Sequence, residues 1–261
     1  NPRLDVTDIK KLAELAHSFD IPLIMDNTVA TAYLVKPLSL GADIVVNSTS
    51  KYINANSSAI SGVITDGGKF KWDTEKYPGM KDFKKFGPFA YTAKLRNGLF
   101  RNTGACLSPQ NAFYNSIGME TLGLRMERVC DNAKTLAQFF ATEYSDIEVN
   151  YPGLAGSKWH NIATEQFGDK FGGIITIRTG NKKRAFGIID ALKLPLIVSN
   201  IGDTKTLVIH PESTLNVHST QEEKETAGVF DDLIRISVGI EDIEDLIDDF
   251  KQAIESVKDV Y

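Results

Sequence analysis

Ile21-Pro-Leu-Ile-Met-Asp26-Asn-Thr28, followed by Gly41-Ala-Asp-Ile-Val-Val-Asn-Ser48-Thr-Ser50-Lys51-Tyr52, is the stretch whose reading decides the fold. Each half holds one short apolar run, Ile21 to Met25 stopped by Asp26 and Asp43 to Val46 led in by Gly41. Runs of this length bounded by turn residues read as compact strands rather than helices. Between them, Ala30 to Leu40 reads as a short helix interrupted by Pro37, because proline removes a helical N–H and clashes with the preceding turn. Upstream, Ile9, Leu12, Ala13, Ala16 and Phe19 fall at helical spacing, with Thr7 or Asp5 as the expected N-cap. Helices alternating with compact strands predict parallel α/β pairing with right-handed crossovers. Gly62-Val-Ile-Thr65 reads as a third strand.

Working outward, residues 67–104 carry much Lys, Phe, Gly and Pro with little periodicity and are expected to be long loops with short helices. From Pro109 to about Thr142 the pattern predicts one long helix, weakened only at Gly118 and Gly123. The remainder alternates again, with strands at 147–151, 173–178, 206–210 and 233–238 and helices at 183–192 and 243–257. The expected fold class is therefore α/β for residues 1–130 and a smaller α+β domain for residues 131–261. No internal repeat or low-complexity segment occurs.

Composition narrows the function. The 261 residues allow about two domains, and the 42% hydrophobic and 24% charged fractions suit an ordinary globular chain. A formal charge of −5, with no basic tract, argues against a nucleic-acid partner, since phosphate backbones are bound by an excess of Lys and Arg. No run approaches the roughly 18 apolar residues of a membrane span, and no charged-then-apolar leader opens the chain. The two cysteines, Cys106 and Cys130, stand in unrelated contexts without a C-x-x-C, so neither a metal site nor a disulfide framework is expected. A reduced, cytoplasmic setting, with a small molecule or another protein as partner, follows as the expectation.

Asp26 closes one expected strand, and Ser48, Ser50 and Lys51 lie just past the end of the next. Ligands of open α/β sheets bind outside the carboxyl ends of the strands, so these four side chains can meet one ligand. Pyridoxal 5'-phosphate uses such a set. A carboxylate keeps its pyridine nitrogen protonated, hydroxyls bind its phosphate, and a lysine attaches covalently to its aldehyde carbon.

Ile-Met-Asp26-Asn-Thr28, Gly-Ala-Asp-Ile-Val-Val and Ser48-Thr-Ser50-Lys51-Tyr52 together resemble the pyridoxal-phosphate family of Cys/Met metabolism. That group contains cystathionine γ-synthase, the γ- and β-lyases and the O-acetylhomoserine sulfhydrylases. Gly104-Ala-Cys-Leu-Ser108-Pro, Glu120-Thr-Leu-Gly-Leu-Arg125-Met-Glu-Arg128, Asn150-Tyr-Pro-Gly153-Leu, Asn200-Ile-Gly-Asp203, Leu207-Val-Ile-His210-Pro211 and Leu233-Ile-Arg235-Ile-Ser-Val-Gly239 extend the likeness over the chain, and resemble the sulfhydrylase branch especially. The resemblance implies an aspartate aminotransferase-like (fold type I) PLP-dependent transferase. Asp26 matches the pyridine-nitrogen aspartate, Ser48 and Ser50 the phosphate-binding hydroxyls, Lys51 the covalently attached lysine, and Asn1 the asparagine that contacts the cofactor's phenolic oxygen. Arg235 matches the arginine that binds the substrate carboxylate, a task suited to a guanidinium fork, and Asn200 reads either as a second substrate contact or as a structural loop residue. The implied activity is γ-replacement on O-acetylhomoserine with sulfide or methanethiol, in a homo-oligomer arranged as a dimer of dimers. Methionine γ-lyase or cystathionine chemistry uses the same core, and a non-catalytic truncated subunit is the alternative of another class.

Three departures stand out against the resemblance. The family reads Gly-Gly-His or Asn-Gly-His soon after its lysine, where this chain has Asn54-Ala55-Asn56, and glycine there allows tight backbone near the cofactor. Arg101-Asn102 replaces a common Arg-Asp, and Glu212 to His218 is longer than usual. The family also has an N-terminal part that supplies phosphate-cradling amides, a ring-stacking aromatic and a Tyr/Arg pair for the neighbouring subunit. None of these can be placed in this chain, so the large domain is expected to be incomplete. Blander roles are expected for His210, Tyr52 and Cys106 as packing residues, Cys106 being buried, and for Glu241 to Asp249 as a solvated helix face.

Overall fold

The computed structural model describes residues 2–257 of the chain. Helix α1, Ile9–Ser18, buries Ile9 and Ala13 and is capped by Asp8, whose carboxylate accepts from Lys11 N at 3.1 Å. The expected caps Thr7 and Asp5 lie one and three positions too early for this bond, so Asp8 replaces them. Strand β1 is Ile24–Asp26, shorter at its start than expected, because Leu23 N donates to the Asp43 carboxylate at 2.8 Å instead of entering the ladder. The short helix α2, Thr31–Leu34, and a 3-10 turn at Pro37–Leu40 divide where Pro37 requires. The turn ends on Gly41 at φ 107°, a left-handed position where an added Cβ would stand 2.8 Å from Ala13 Cβ.

Strands β2, Ile44–Ser48, and β3, Gly62–Asp66, complete a sheet of order β1-β2-β3. β1 and β2 run parallel with Asp26 opposite Val46, while β3 returns antiparallel with Gly62 opposite Ser48. Both strands therefore deliver their carboxyl ends to the same edge of the sheet.

Residues 67–104 form 3-10 turns at Pro78–Phe89, helix α3 at Ala90–Lys94, a π-helical turn at Leu95–Phe100 and helix α4 at Arg101–Thr103. The long helix expected from Pro109 is two: α5, Pro109–Glu120, and α6, Leu122–Glu143. Thr121 leaves helical geometry at φ −108°. The break leaves Gly118 O to accept from Arg125 Nη2 at 2.6 Å, while Arg125 Nε reaches Thr121 Oγ1 at 3.0 Å. A buried guanidinium thus takes the place of a helical hydrogen bond.

The second half runs β4 (Glu148–Asn150), α7 (His160–Phe167), β5 (Ile174–Arg178), α8 (Lys182–Ala191), β6 (Leu196–Ile197), β7 (Leu207–Ile209), α9 (Gln221–Thr226), β8 (Leu233–Ser237) and α10 (Ile243–Ser256). The sheet order is β4-β5-β8-β7-β6, antiparallel except for β6 with β7. α7, β6 and α9 had no counterpart in the sequence reading. α9 is polar throughout and carries only a Thr220/Glu223 capping box, and β6 is a two-residue edge. The main core joins Ile175, Ile177, Val208, Ile234 and Ile236 of this sheet to Leu136, Phe140, Ile188 and Phe250 of the helices. A small core of Ile9, Ala13, Leu23, Val35 and Ala42 supports the first sheet. A third cluster holds Tyr52 against Met126, Val129 and Cys130 of α6.

Two packing expectations are corrected. Cys106 is exposed, since it sits in a loop before α5 with no core to enter. The acidic run is only partly solvated. Glu241 accepts from Thr206 N and Oγ1, and Asp249 is buried, accepting from Lys193 N and Leu194 N at 2.9 Å each. His210 is buried, with its ring nitrogens 2.9 Å from Ser213 Oγ and 2.8 Å from Asp231 O. Among the described residues, no helix is long and apolar enough to cross a membrane.

Candidate active site

The site is assembled where β1 and β2 end, beside β8 and the loop that follows β6. Asp26, the last residue of β1, is exposed, and its Oδ1 accepts from Thr28 N at 2.9 Å and Thr28 Oγ1 at 2.6 Å. Thr28 Oγ1 in turn accepts from Ser48 N at 2.8 Å. One threonine thereby ties the end of β1 to the end of β2, fixing Asp26 relative to Ser48. Asp26 Oδ2 and Ser48 Oγ have no hydrogen-bond partner among the described residues and remain available to a ligand.

Ser50 is more constrained. Its hydroxyl accepts from Ser61 N at 2.9 Å and donates to Ser61 O at 3.3 Å. Ser61 Oγ also meets Thr49 Oγ1 at 2.5 Å and accepts from Asn115 Nδ2 at 2.8 Å. The Ser48–Lys51 segment is therefore pinned to the residue preceding β3, and Ser50 would have to turn its proton away from Ser61 to bind an anion.

Lys51 is half-buried, and Tyr52 is wholly buried against α6. Burial pushes the Tyr52 phenol up, out of reach of ionisation near neutrality. The turn after Lys51 rests on backbone clamps. Arg125 Nη1 donates to Tyr52 O at 2.5 Å and Nη2 to Ile53 O at 3.4 Å, while Gly118 lets α5 pack directly on the Ile53–Asn54 backbone. Asn54 Oδ1 accepts from Ser58 N at 2.7 Å and closes the loop. Ala55, which replaces an expected glycine, adopts φ +83°, and Ser57 adopts φ +57°. The turn keeps its left-handed backbone without glycine, at a local cost of about 1–3 kcal/mol per residue.

Lys51 Nζ donates to Asn200 Oδ1, and Asn200 Nδ2 donates to Ser57 Oγ. The backbone oxygen of Asn200 accepts from Arg235 Nη2 at 3.0 Å. Asn200 thus joins the lysine to the arginine. Arg235 lies on β8 and is buried. Burial brings its guanidinium down to about 10, which leaves it cationic at neutral pH. Burial first, and the Arg235 charge second, lower the Lys51 ammonium from its ordinary value. Asn1 lies outside the described residues. Its neighbour Pro2 is held at Thr176, whose Oγ1 donates to Pro2 O at 3.2 Å, and Thr176 faces Arg235 in the β5–β8 register.

The donor set fits pyridoxal 5'-phosphate. An exposed carboxylate with one uncommitted oxygen suits a protonated ring nitrogen, and an amine with a lowered pKa suits attachment to an aldehyde. Among the sequence candidates, Asp26 and Ser48 are joined through Thr28, and Lys51 and Arg235 through Asn200. Ser50 sits between them with its hydroxyl engaged. The sequence reading missed Thr28, Ser57, Ser61 and Gly118 and gave Arg125 no role. Thr28 and Arg125 lay inside quoted motifs, while the contacts of Ser57 and Ser61 are long-range and leave no local signal.

Comparison with known proteins agrees with this geometry. The family described as Cys/Met metabolism PLP-dependent enzyme matches residues 1–255. The O-acetyl-L-homoserine sulfhydrylase of Corynebacterium glutamicum is 42% identical over 96% of this chain and 61% of its own length. The homocysteine synthase of Schizosaccharomyces pombe is 39% identical over 98% of this chain and 63% of its own. A crystal structure of a Campylobacter jejuni protein, assigned as an O-acetylhomoserine (thiol)-lyase and bearing a pyridoxyl-lysine monophosphate, superposes with a TM-score of 0.91 at 34% identity, over 98% of this chain and 64% of that one. The chain spans less than two thirds of the length of these relatives. Its α/β fold is that of the PLP-dependent transferases. With its motifs in order from β1 to β8 and a family match over nearly every residue, the chain belongs to the Cys/Met metabolism family of PLP-dependent enzymes.

Proposed function

We propose that the protein carrying this chain exchanges the acetate of O-acetylhomoserine for sulfide or methanethiol, giving homocysteine or methionine. The observation that carries the reading is the Lys51–Asn200–Arg235 linkage, which sets an amine of lowered pKa beside a buried guanidinium. The relatives' assignments agree with it.

In this reading Asp26 holds the pyridine nitrogen, Ser48 and Ser50 contact the phosphate, and Asn1 approaches the phenolic oxygen. Bound there, the cofactor acts as an electron sink for the substrate carbon skeleton. Arg235 binds the substrate α-carboxylate through its guanidinium fork, and Asn200 lines the same position. Lys51 takes the Cα proton at Nζ and carries protons at Cβ. Its lowered pKa leaves more neutral amine near pH 7 than an ordinary lysine has. Acetate departs from Cγ with the C–O electron pair, and the thiol sulfur bonds to that carbon, so the exchange balances without an oxidant.

Two structural expectations belong to the same proposal. The division after residue 130 falls inside α6, whose first half packs on Tyr52 and whose second half enters the main core. Assembly into a homo-oligomer belongs to the same reading, and the individually exposed apolar side chains Phe113, Ile117, Met119 and Leu124 are surface that such an assembly would cover. Both cysteines are free thiols, as a cytoplasmic enzyme would have them.

The test is an assay of the protein at its full natural length, with pyridoxal phosphate, O-acetylhomoserine and sulfide. Homocysteine formation dependent on sulfide is expected, together with methionine when methanethiol replaces it. Release of 2-oxobutyrate from methionine without thiol-dependent product would transfer the protein to elimination chemistry. No turnover of either substrate would favour a non-catalytic subunit.

A further inference from the structure

Two of the backbone positions after Lys51 are left-handed, and neither is glycine: Ala55 at φ +83° and Ser57 at φ +57°. Ser57 brings to this turn a hydroxyl that glycine would lack. That hydroxyl is spent on Asn200, 143 residues away in sequence. The chemistry of the amide explains why. A lysine amine in its charged form only donates, so the side-chain oxygen of Asn200 must face Lys51 Nζ. The amide NH₂ then points the other way, and Ser57 Oγ is the acceptor that meets it.

The rest of the Asn200 loop is held to the same turn. Thr204 N donates to Ala55 O at 2.9 Å, and Gly202 passes so close that an added Cβ would lie 2.7 Å from Tyr52 N. These contacts set the height of the loop over Lys51. Ser57 supplies the second partner of that orientation, accepting from the amide NH₂ while the amide oxygen meets the lysine.

We propose that Ser57 is a positioning residue: its hydroxyl fixes the Asn200 amide with the oxygen toward Lys51, and so tunes the proton affinity of the lysine amine. The proposal rests on Lys51 being the reactive amine and deepens that reading. The effect of Ser57 passes through Asn200.

The test compares Ser57→Gly with Ser57→Ala in the cofactor-free protein at full natural length. The readout is the pH profile of trinitrobenzenesulfonate modification at Lys51, followed by mass spectrometry of the Lys51 peptide. Both variants remove the hydroxyl, while only glycine relieves the left-handed backbone, so folding stability and side-chain chemistry separate. Losing an oriented acceptor disfavours the ammonium, and both profiles are expected to move to lower pH by roughly half a unit or more. An unchanged profile in both variants would overturn the proposal. So would a shift in one variant alone, since that would follow the backbone rather than the hydroxyl. The readout uses no substrate, so an absence of sulfhydrylase activity with both profiles displaced defeats the functional reading and leaves Ser57 in its role.

Discussion

Gly118→Ala separates a helix-propensity account of this chain from one built on the lysine turn. In an isolated helix the change would stabilise, by about 1 kcal/mol, because alanine loses less backbone entropy than glycine. Here an ideal Cβ at position 118 would stand 2.3 Å from Ile53 O and 2.9 Å from Asn54 C and O. Those are backbone atoms two and three residues past Lys51, and they cannot swing aside as a side chain would. Opening the gap to an ordinary contact requires about 1 Å of movement, an overpacking that costs about 1–3 kcal/mol. It also stretches the Arg125 hydrogen bonds to Gly118 O at 2.6 Å and Tyr52 O at 2.5 Å, which tie α5, α6 and the turn together. Hydrogen bonds to a charged group contribute about 1.5–3 kcal/mol each, so partial loss of one outweighs the propensity gain. The expected net change is a destabilisation of about 2 kcal/mol. It is read as a lowered urea midpoint in the full-length protein, with weaker retention of pyridoxal phosphate. Gly98→Ala is the control: outside its chain neighbours and its own helix backbone, no atom lies within 4 Å of the added Cβ, and a gain of roughly 0.5–1 kcal/mol is expected. Equal or greater stability for Gly118→Ala would refute the packing of α5 on the lysine turn.

Cys130 is buried against Tyr52, and burial pushes its thiol up to about 12. It should resist a thiol reagent at pH 8 until the protein unfolds, and labelling at the native rate of a free thiol would contradict its place in that cluster. Glu212 lies between Lys182 at 2.8 Å and Lys224 at 2.6 Å, hydrogen bonds that bring its carboxyl down from 4.5 to about 2. A depressed carboxyl contributes stability that is complete above pH 4.5 and disappears as the pH falls through about 2. Glu212→Gln should therefore cost about 1 kcal/mol near neutrality, allowing for solvent screening. The stability curves of the two proteins should converge in acid, and a gap that stayed constant down to pH 2 would remove the ion pairs from the account.

The sequence was most legible where one residue's neighbours dictate its state. Apolar runs stopped by Asp26 and preceding Ser48 marked β1 and β2, and their carboxyl ends placed Asp26 and Lys51 together at one sheet edge. The long helix was misread because its break is tertiary. Nothing local in Thr121 interrupts a helix, whereas Arg125, reaching back to Gly118 O and across to Tyr52 O, does. The cap of α1 was missed by one position, since Thr7, Asp8 and Asp5 are all chemically able and only geometry selects Asp8. Ala55 hid the turn. A glycine there would have announced positive φ, and the alanine adopts it only because Asn54, Thr204 and Gly202 hold both sides of the loop. In the site, the motifs carried residue identities, while the linkages through Thr28, Ser57 and Ser61 follow from three-dimensional approach and have no sequence period.

The central claim, that Lys51 is the amine that attaches pyridoxal phosphate, is tested by reducing the full-length protein with borohydride in the presence of the cofactor and sequencing its peptides by mass spectrometry. The account predicts one pyridoxyl group, on the peptide containing Lys51, and loss of both this adduct and the visible absorption band in Lys51→Ala. A pyridoxyl group on another lysine, or a band that survives Lys51→Ala, would contradict it.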